Sequence, residues 1–265
     1  NAAYWSIATT MRSDNKANSV VQDALGLGAG KVDTAYTAMN AAIDVIDDIK
    51  SKILLAKTAS PEERGKIQSE IKTYQDQLVD SISGATYAGA NLLKTDSTSS
   101  DKTLQVISSY NRDSTGAVVT GSIDIDYKNI RLIDAKTGGS AGILDTSFAT
   151  SGTVKMSALN LNVGSGGITT ATAFDNMLTG IEKVLGKMTA AASELGAAKS
   201  RIDMQKDFVS KLMDSIDRGV GQLVDADMNK ESTKLQALQV QQQLGIQALS
   251  IANTNSQNIL SLFKG

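Results

Sequence analysis

Residues 25–36 read LGLGAGKVDTAY, and the reading of this stretch decides between two unlike folds. If the glycines cradle a phosphate, the chain opens with a nucleotide-binding α/β unit. If they lie inside a helix, it opens with one long helical arm. The phosphate-loop pattern needs a glycine five positions before the Gly-Lys pair and a Ser or Thr after the lysine; those positions hold Leu25 and Val32. The dinucleotide variant fits Gly26 and Gly28 but needs a third glycine where Lys31 stands, and a strand just upstream. Upstream lies TTMRSDNKANSVVQDA, without period-two alternation. Downstream, Val32, Tyr36, Met39, Ile43, Ile46, Ile49 and Ile53 recur every three or four residues, and the same phase runs back through Gly28 to Leu25 and Val21. That is one face of a helix. Glycine in a helix interior costs up to about 1 kcal/mol relative to alanine, so Gly26, Gly28 and Gly30 predict close approach of another backbone, or a bend. With Ile43 and Ile46 they form the expected helix-packing surface.

Composition narrows the function classes. The 265 residues are 41% hydrophobic but only 4% aromatic, a balance suited to long helices packed at short distance. No histidine or cysteine is present, which removes Ser-His-Asp and Cys-His nucleophilic sites, thiolate or imidazole zinc sites and redox dithiols. No catalytic residue, cofactor or metal site is expected, and the enzyme class ranks last. A net charge of -2 gives no basic surface for nucleic acid. No apolar run approaches the eighteen residues of a membrane span. The first residue is Asn1, which points to a chain cut short at its amino terminus.

The helical arms are punctuated. After about Thr58, SPEE supplies Ser60 as cap, Pro61 at the first helical position and Glu63 three after the cap, a capping box. A second helix carries Ile67, Ile71, Tyr74, Leu78 and Ile82, with Gly84 expected to end it in a left-handed conformation. Residues 1–93 thus form an amino-terminal arm of two helices with a turn near 58–61. The segment 94–170 reads as a β-rich surface insertion: Leu104, Val106, Ile123, Ile125, Tyr127, Ile130 and Leu132 alternate with polar residues, NRDSTG, KTGGSAG and VGSGG make turns, and Val154, Met156, Leu159, Leu161 and Val163 close the run. Helical periodicity resumes over 171–234, opened by a capping pair of Thr172 and Asp175. The expected fold is mainly α: a long antiparallel helical bundle or coiled coil formed by the amino- and carboxy-terminal arms, with a small β-rich insertion, α+β overall.

Residues 235–263, LQALQVQQQLGIQALSIANTNSQNILSLF, contain no Asp, Glu, Lys or Arg. As one helix they would span roughly 44 Å at about 1.5 Å per residue. Leu235, Leu238, Leu244, Ile251, Ile259, Leu262 and Phe263 supply a stripe, with Gln, Asn and Ser elsewhere. Burying so many amides in hydrocarbon is costly, which disfavours a membrane span. A Gln-rich disordered tail is one remaining reading. The favoured one is a helix buried among copies of itself, where amides bond across subunits and no charge is desolvated. The segment 235–265 is therefore read as the helix of a polymer core, with that stripe as its self-assembly interface.

NAAYWSIATTMRSDN at the start, IQSEIKTYQDQL with GATYAGANLL, LGAAKSRID (195–203), VDADMNKEST (224–233) and QQQLGIQALSIANTNSQNILSLF (241–263) together resemble segments of bacterial flagellin of the alphaproteobacterial type. The resemblance spans about 1–93 and 171–264. It implies a secreted extracellular filament subunit serving motility, a homopolymer at the cell surface, with the export apparatus, a chaperone and hook-associated proteins as partners. It also implies about one helix before Asn1 as partner of 235–263. Residues 94–170 match no motif of the family, and the charged Arg-x-x-Glu-Leu pattern of many members is absent from 43–56. An alternative from another class is a flagellin-like surface adhesin holding extracellular polysaccharide, with Tyr110, Asn111, Arg112 and Tyr127 as candidates. The junction protein between hook and filament shares such arms, but the filament-type endings argue against it. Asp124 with Asp126 reads as the wet side of a strand, Asp47–Asp48 and Asp225–Asp227 as solvated helix faces, and Trp5 as a ring packed between helices.

Overall fold

The computed structural model describes residues 2–145, 148–150, 152–154, 156 and 170–263, with the side chains of 148–150, 152–154 and 260–263 excepted. The chain is mainly helical with small two-stranded sheets. Its elements are α1 (Ala2–Thr58), α2 (Pro61–Gly84), β1 (Lys94–Thr95), β2 (Thr103–Arg112), β3 (Val118–Asp126), α3 (Tyr127–Ile130), β4 (Ile133–Asp134), β5 (Phe148–Thr150), β6 (Gly152–Val154) and α4 (Ala171–Phe263). Leu159, Leu161, Val163 and the VGSGG turn lie outside the described residues.

Helix α1 runs unbroken through GLGAGK. Its buried line is Val21, Leu25, Val32, Ala35, Met39, Ala42, Ile46, Ile49 and Ile53, the period read from sequence, except that Ala35 and Ala42 take core positions while Tyr36 and Ile43 are half-buried beside them. Two of the three glycines are explained by what lies over them. A Cβ on Gly28 would sit 2.6 Å from both Val106 methyls of β2, and one on Gly30 would sit 2.4 Å from the Tyr87 ring. The neighbours are side chains, not a second backbone. Gly26 has nothing within 4 Å, so its place in the expected packing surface is not filled.

The end of α1 and the start of α2 are held by named polar groups. Ser60 accepts from the Glu63 N–H, and the Glu63 carboxylate accepts from the Ser60 N–H, completing the capping box. Arg64 donates from Nε to the Ala56 carbonyl and from Nη2 to that of Lys57, at 2.9 and 3.2 Å, serving carbonyls that α1 leaves without helical donors. Its guanidinium lies 4.8 Å from the centroid of the fully buried Phe174 ring of α4, a cation–π contact that fixes three helix ends together. Gly84 does end α2, but not by a left-handed turn. Positive φ falls instead on Ala88 (49°) and Gly89 (76°), in the bend where Tyr87 and Ala90 bridge. At the start of α4 the cap is Thr170, which accepts the Ala173 N–H at 3.2 Å, rather than Thr172; Asp175 pairs with Lys57 of α1.

Between the helices, β2 and β3 form an antiparallel hairpin with a bulge at Ser108, turning through Asp113 and Gly116. Its inner face is Leu104, Val106, Ile123 and Ile125. The alternation read on through Tyr127 and Ile130 breaks at Asp126, whose carboxylate accepts the Lys128 N–H and starts the single turn α3. β1 and β4 pair in parallel, and β5 with β6 antiparallel. The loop after β4 closes around two buried carboxylates. Asp134 accepts from the N–H groups of Ser97, Lys136 and Ala141, while Asp145 accepts from the N–H of Asp134 at 2.6 Å. Burial opposes the charge on Asp134, yet these bonds outweigh it and hold its carboxyl far below the usual carboxylate range.

The chain divides into two compact units, 18–210 and a second made of 1–17 with 211–265. In the larger one, α1 and α4 run antiparallel with Asp33 paired to Lys199, Lys50 to Glu182 and Lys57 to Asp175. The two residue numbers add to the same total in each pair, so the register advances without a skip. Nearly all the buried apolar side chains belong to this unit. In the smaller unit the two helices are again antiparallel, with Asn15 bonded to Asp217 and Gly219 facing the Met11 methyl. Among its described residues only Ala8 and Val220 are buried apolar side chains.

Candidate self-assembly surface

The uncharged tail is helical to its end, as the continuation of α4. Leu235, Leu238, Leu244, Ile251 and Ile259 are each more than half exposed. Leu262 and Phe263 belong to α4, but their side chains lie outside the described residues. Val240, Ile246 and Leu249, passed over in the sequence reading, are equally exposed. At about 100° per residue these positions do not form a single stripe. Leu235, Leu238, Ile246 and Leu249 gather on one side of the helix; Val240, Leu244 and Ile251 gather on the other, half a turn away. The single stripe read from spacing is therefore two, and each faces solvent. Such a helix cannot be satisfied by one neighbour.

Upstream on the same unit, Tyr4, Trp5, Ala8 and Arg12 of α1 and Leu223, Val224, Asp227, Met228 and Glu231 of α4 line a groove of about 500 Å³. Trp5 and Met228 are the largest exposed apolar side chains along it. Trp5 is 70% exposed, so it is not packed between the helices as expected; its ring is open on the groove side. No signal in the sequence separated a wall residue from a core residue here, since Trp5 follows the helical phase only loosely.

The other candidates are dispersed. The Tyr110 hydroxyl lies 3.4 Å from Arg112 Nη2 near the turn of the hairpin. Tyr127 follows β3 at the opposite end, where Asp126 pairs with Thr103. The four polysaccharide candidates therefore do not converge. Asp124 is exposed on β3, and Asp47, Asp48 and Asp225 are exposed on helices. Among the described residues no cluster of three or more acidic side chains could hold a metal ion, and no helix is long and apolar enough to cross a membrane.

Lysines on the paired helices in the larger unit are held by opposite charges. The hydrogen bond that Lys199 donates to Asp33 raises its pKa, and those that Lys50 and Lys52 donate to Glu182 and Glu70 do the same, each opposed by desolvation and aided by Coulomb attraction.

Comparison with known proteins gives the following. Residues 1–98 match the family model for the bacterial flagellin N-terminal helical region, and 178–263 that for the bacterial flagellin C-terminal helical region. A flagellin of Brucella melitensis is 51% identical over 265 residues, covering 100% of this chain and 85% of its own length. Flagellin C of Rhizobium meliloti is 45% identical over 280 residues, covering 100% of this chain and 87% of its own. Among solved structures, a chain described as a flagellar hook-associated protein of Vibrio parahaemolyticus matches with a TM-score of 0.56 at 15% identity, over 81% of this chain and 95% of that one; this is a likeness of fold.

Proposed function

This chain belongs to the bacterial flagellin family, and from that premise we propose that it is the structural subunit of an extracellular flagellar filament, polymerising with identical copies through its terminal helices. One observation carries the reading: the last part of α4 exposes eight large apolar side chains, seven of them on two opposite faces, and carries no charge. A helix left in water gains nothing from such a surface. Buried between neighbours, each large apolar side chain contributes about 1.5–3 kcal/mol by removal from water, and the glutamine and asparagine amides find partners across subunits.

The role is structural, with motility as its purpose and the cell surface as its place. The flagellar export apparatus, a chaperone and hook-associated proteins are the partners that follow from it. Nothing in the geometry favours the polysaccharide-binding alternative.

The test is elongation. Short sheared filaments are incubated with the purified protein and scored by negative-stain microscopy. Growth is expected, with Leu244→Glu or Ile251→Glu abolishing it while leaving helicity unchanged. Equal growth from those variants would overturn the assignment of the tail as the interface.

A further inference from the structure

We infer that the Tyr36 ring seated on Gly196 is the contact that fixes the register in which α1 and α4 pair in the larger unit. The buried rows of that pair do not fix it. On α1, Leu25, Val32, Met39, Ile46 and Ile53 recur every seven residues, and on α4 Phe174, Ile181, Met188, Leu195, Ile202 and Val209 do the same, all of them buried. Sliding one helix past the other by seven residues sets each row back against the other, apolar on apolar. Charge does not fix the register either. Moved by one heptad in one direction, Asp33 leaves Lys199 and meets Lys206, and Lys57 leaves Asp175 and meets Glu182. In the other direction, Lys50 leaves Glu182 and meets Asp175. Part of the ion pairing is remade both ways.

Shape is what separates the registers. Tyr36 and Gly196 fall in step with the three ion pairs. A Cβ on Gly196 would sit 3.3 Å from Tyr36 Cε2, already a tight contact, and the Lys199 ammonium lies 5.9 Å from the ring centroid. Gly196 belongs to the row Asp175, Glu182, Thr189, Gly196, Asp203, of which it is the only member without a side chain. One heptad of slip sets the ring on Asp203 or, the other way, on Thr189, where a side chain occupies the hollow. Slipping also gives up the bonds from Gln205 to the Ser108 carbonyl and from Asn129 to Glu194, each a modest net loss, whereas a ring driven into an occupied site parts the helices. Such a feature specifies by penalising the alternatives. Because α4 is one unbroken helix, a heptad of slip carries all of it by roughly 10 Å. One ring and one missing side chain therefore set how far the two helices overlap.

The chain has no cysteine, so a single pair of spin labels can be placed on it. Asp48→Cys and Ser200→Cys, both at exposed positions, put one label on each helix. Each protein is refolded from guanidinium, checked by far-ultraviolet circular dichroism and read by double electron–electron resonance. The labelled chain with no further change should give one distance. Asp203→Gly, at an exposed position that leaves Tyr36 and Gly196 untouched, opens a hollow for one direction of slip and should add a second distance, shorter by roughly 10 Å. Tyr36→Ala should also add a second distance, and Tyr36→Phe, which keeps the ring, should not. A single distance from Asp203→Gly or from a folded Tyr36→Ala would overturn the assignment, as would a second distance in Tyr36→Phe or in the unchanged chain. Should Tyr36→Ala fail to fold, Asp203→Gly decides alone.

Discussion

The three glycines of GLGAGK look alike in sequence and differ once their surroundings are known. Gly28 faces the buried, β-branched Val106, which has no room to turn away. Gly28→Ala forces overpacking, with an expected cost of about 1–3 kcal/mol. Gly26 faces open space, so Gly26→Ala recovers helix propensity and stabilises by up to about 1 kcal/mol. Urea denaturation should show midpoints moving in opposite directions; equal shifts would refute the packing explanation. Period alone marked 25–32 as one helical face but could not say which glycine meets a neighbour, because the neighbour lies more than 70 residues on, in β2. A similar blindness hid Asn18. It falls on the core phase, is 2% exposed, and its Oδ1 lacks a partner, as do Asn15 Oδ1 and Gln22 Oε1. A polarity count assigns such residues to the wet face.

At the scale of elements, capping was the most legible feature. Ser60, Pro61 and Glu63 announced α2 because their interactions are local and read within four residues. Ser60→Ala should lower stability by about 0.5–2 kcal/mol, measurable by thermal melting. The role of Arg64 was not legible, since its partners are the end of α1 and a ring on α4. The strand reading failed at Tyr127 for a local reason: the Asp126 side chain offers the backbone an alternative to the ladder. For α1 against α2, through Lys52, and against α4, through Lys50 and Lys199, the raised lysine pKa values set a pH window. A folded-state pKa above the unfolded value near 10.5 means that Lys50, Lys52 and Lys199 contribute fully below that pH. Their contribution is lost as pH rises through the folded values. Loss of stability above pH 10.5, diminished in Lys199→Gln, is the expected outcome, read by helicity at fixed urea; an unchanged alkaline profile in that variant would remove Lys199 from the cause.

At the scale of the molecule, the two units differ in how much they bury, and their stabilities should differ accordingly. Hydrogen exchange of the unassembled protein is expected to show strong protection around Leu25–Ile53 and Met177–Ile202, and weak protection across 235–259, where the helix has no tertiary contact to add to its propensity. Comparable protection in both would contradict the exposure of the tail. The mainly helical architecture and the polymer reading were legible because periodicity and the missing charges run over tens of residues. The division at 17/18 and 210/211 was not, since it falls inside α1 and α4 with no break in either helix.

The two opposite apolar faces of the tail also set its valence. A body with a single adhesive side is used up by one partner and stops at pairs; a tail with two is a link, and the number of links each molecule offers decides whether growth continues. A variant crippled on one face only, for instance by Leu235→Glu with Leu249→Glu, lacks a link that wild type has and holds the next copy less firmly. Small fractions of it added to wild type should shorten filaments in proportion to its abundance, whereas a variant crippled on both faces should merely dilute them.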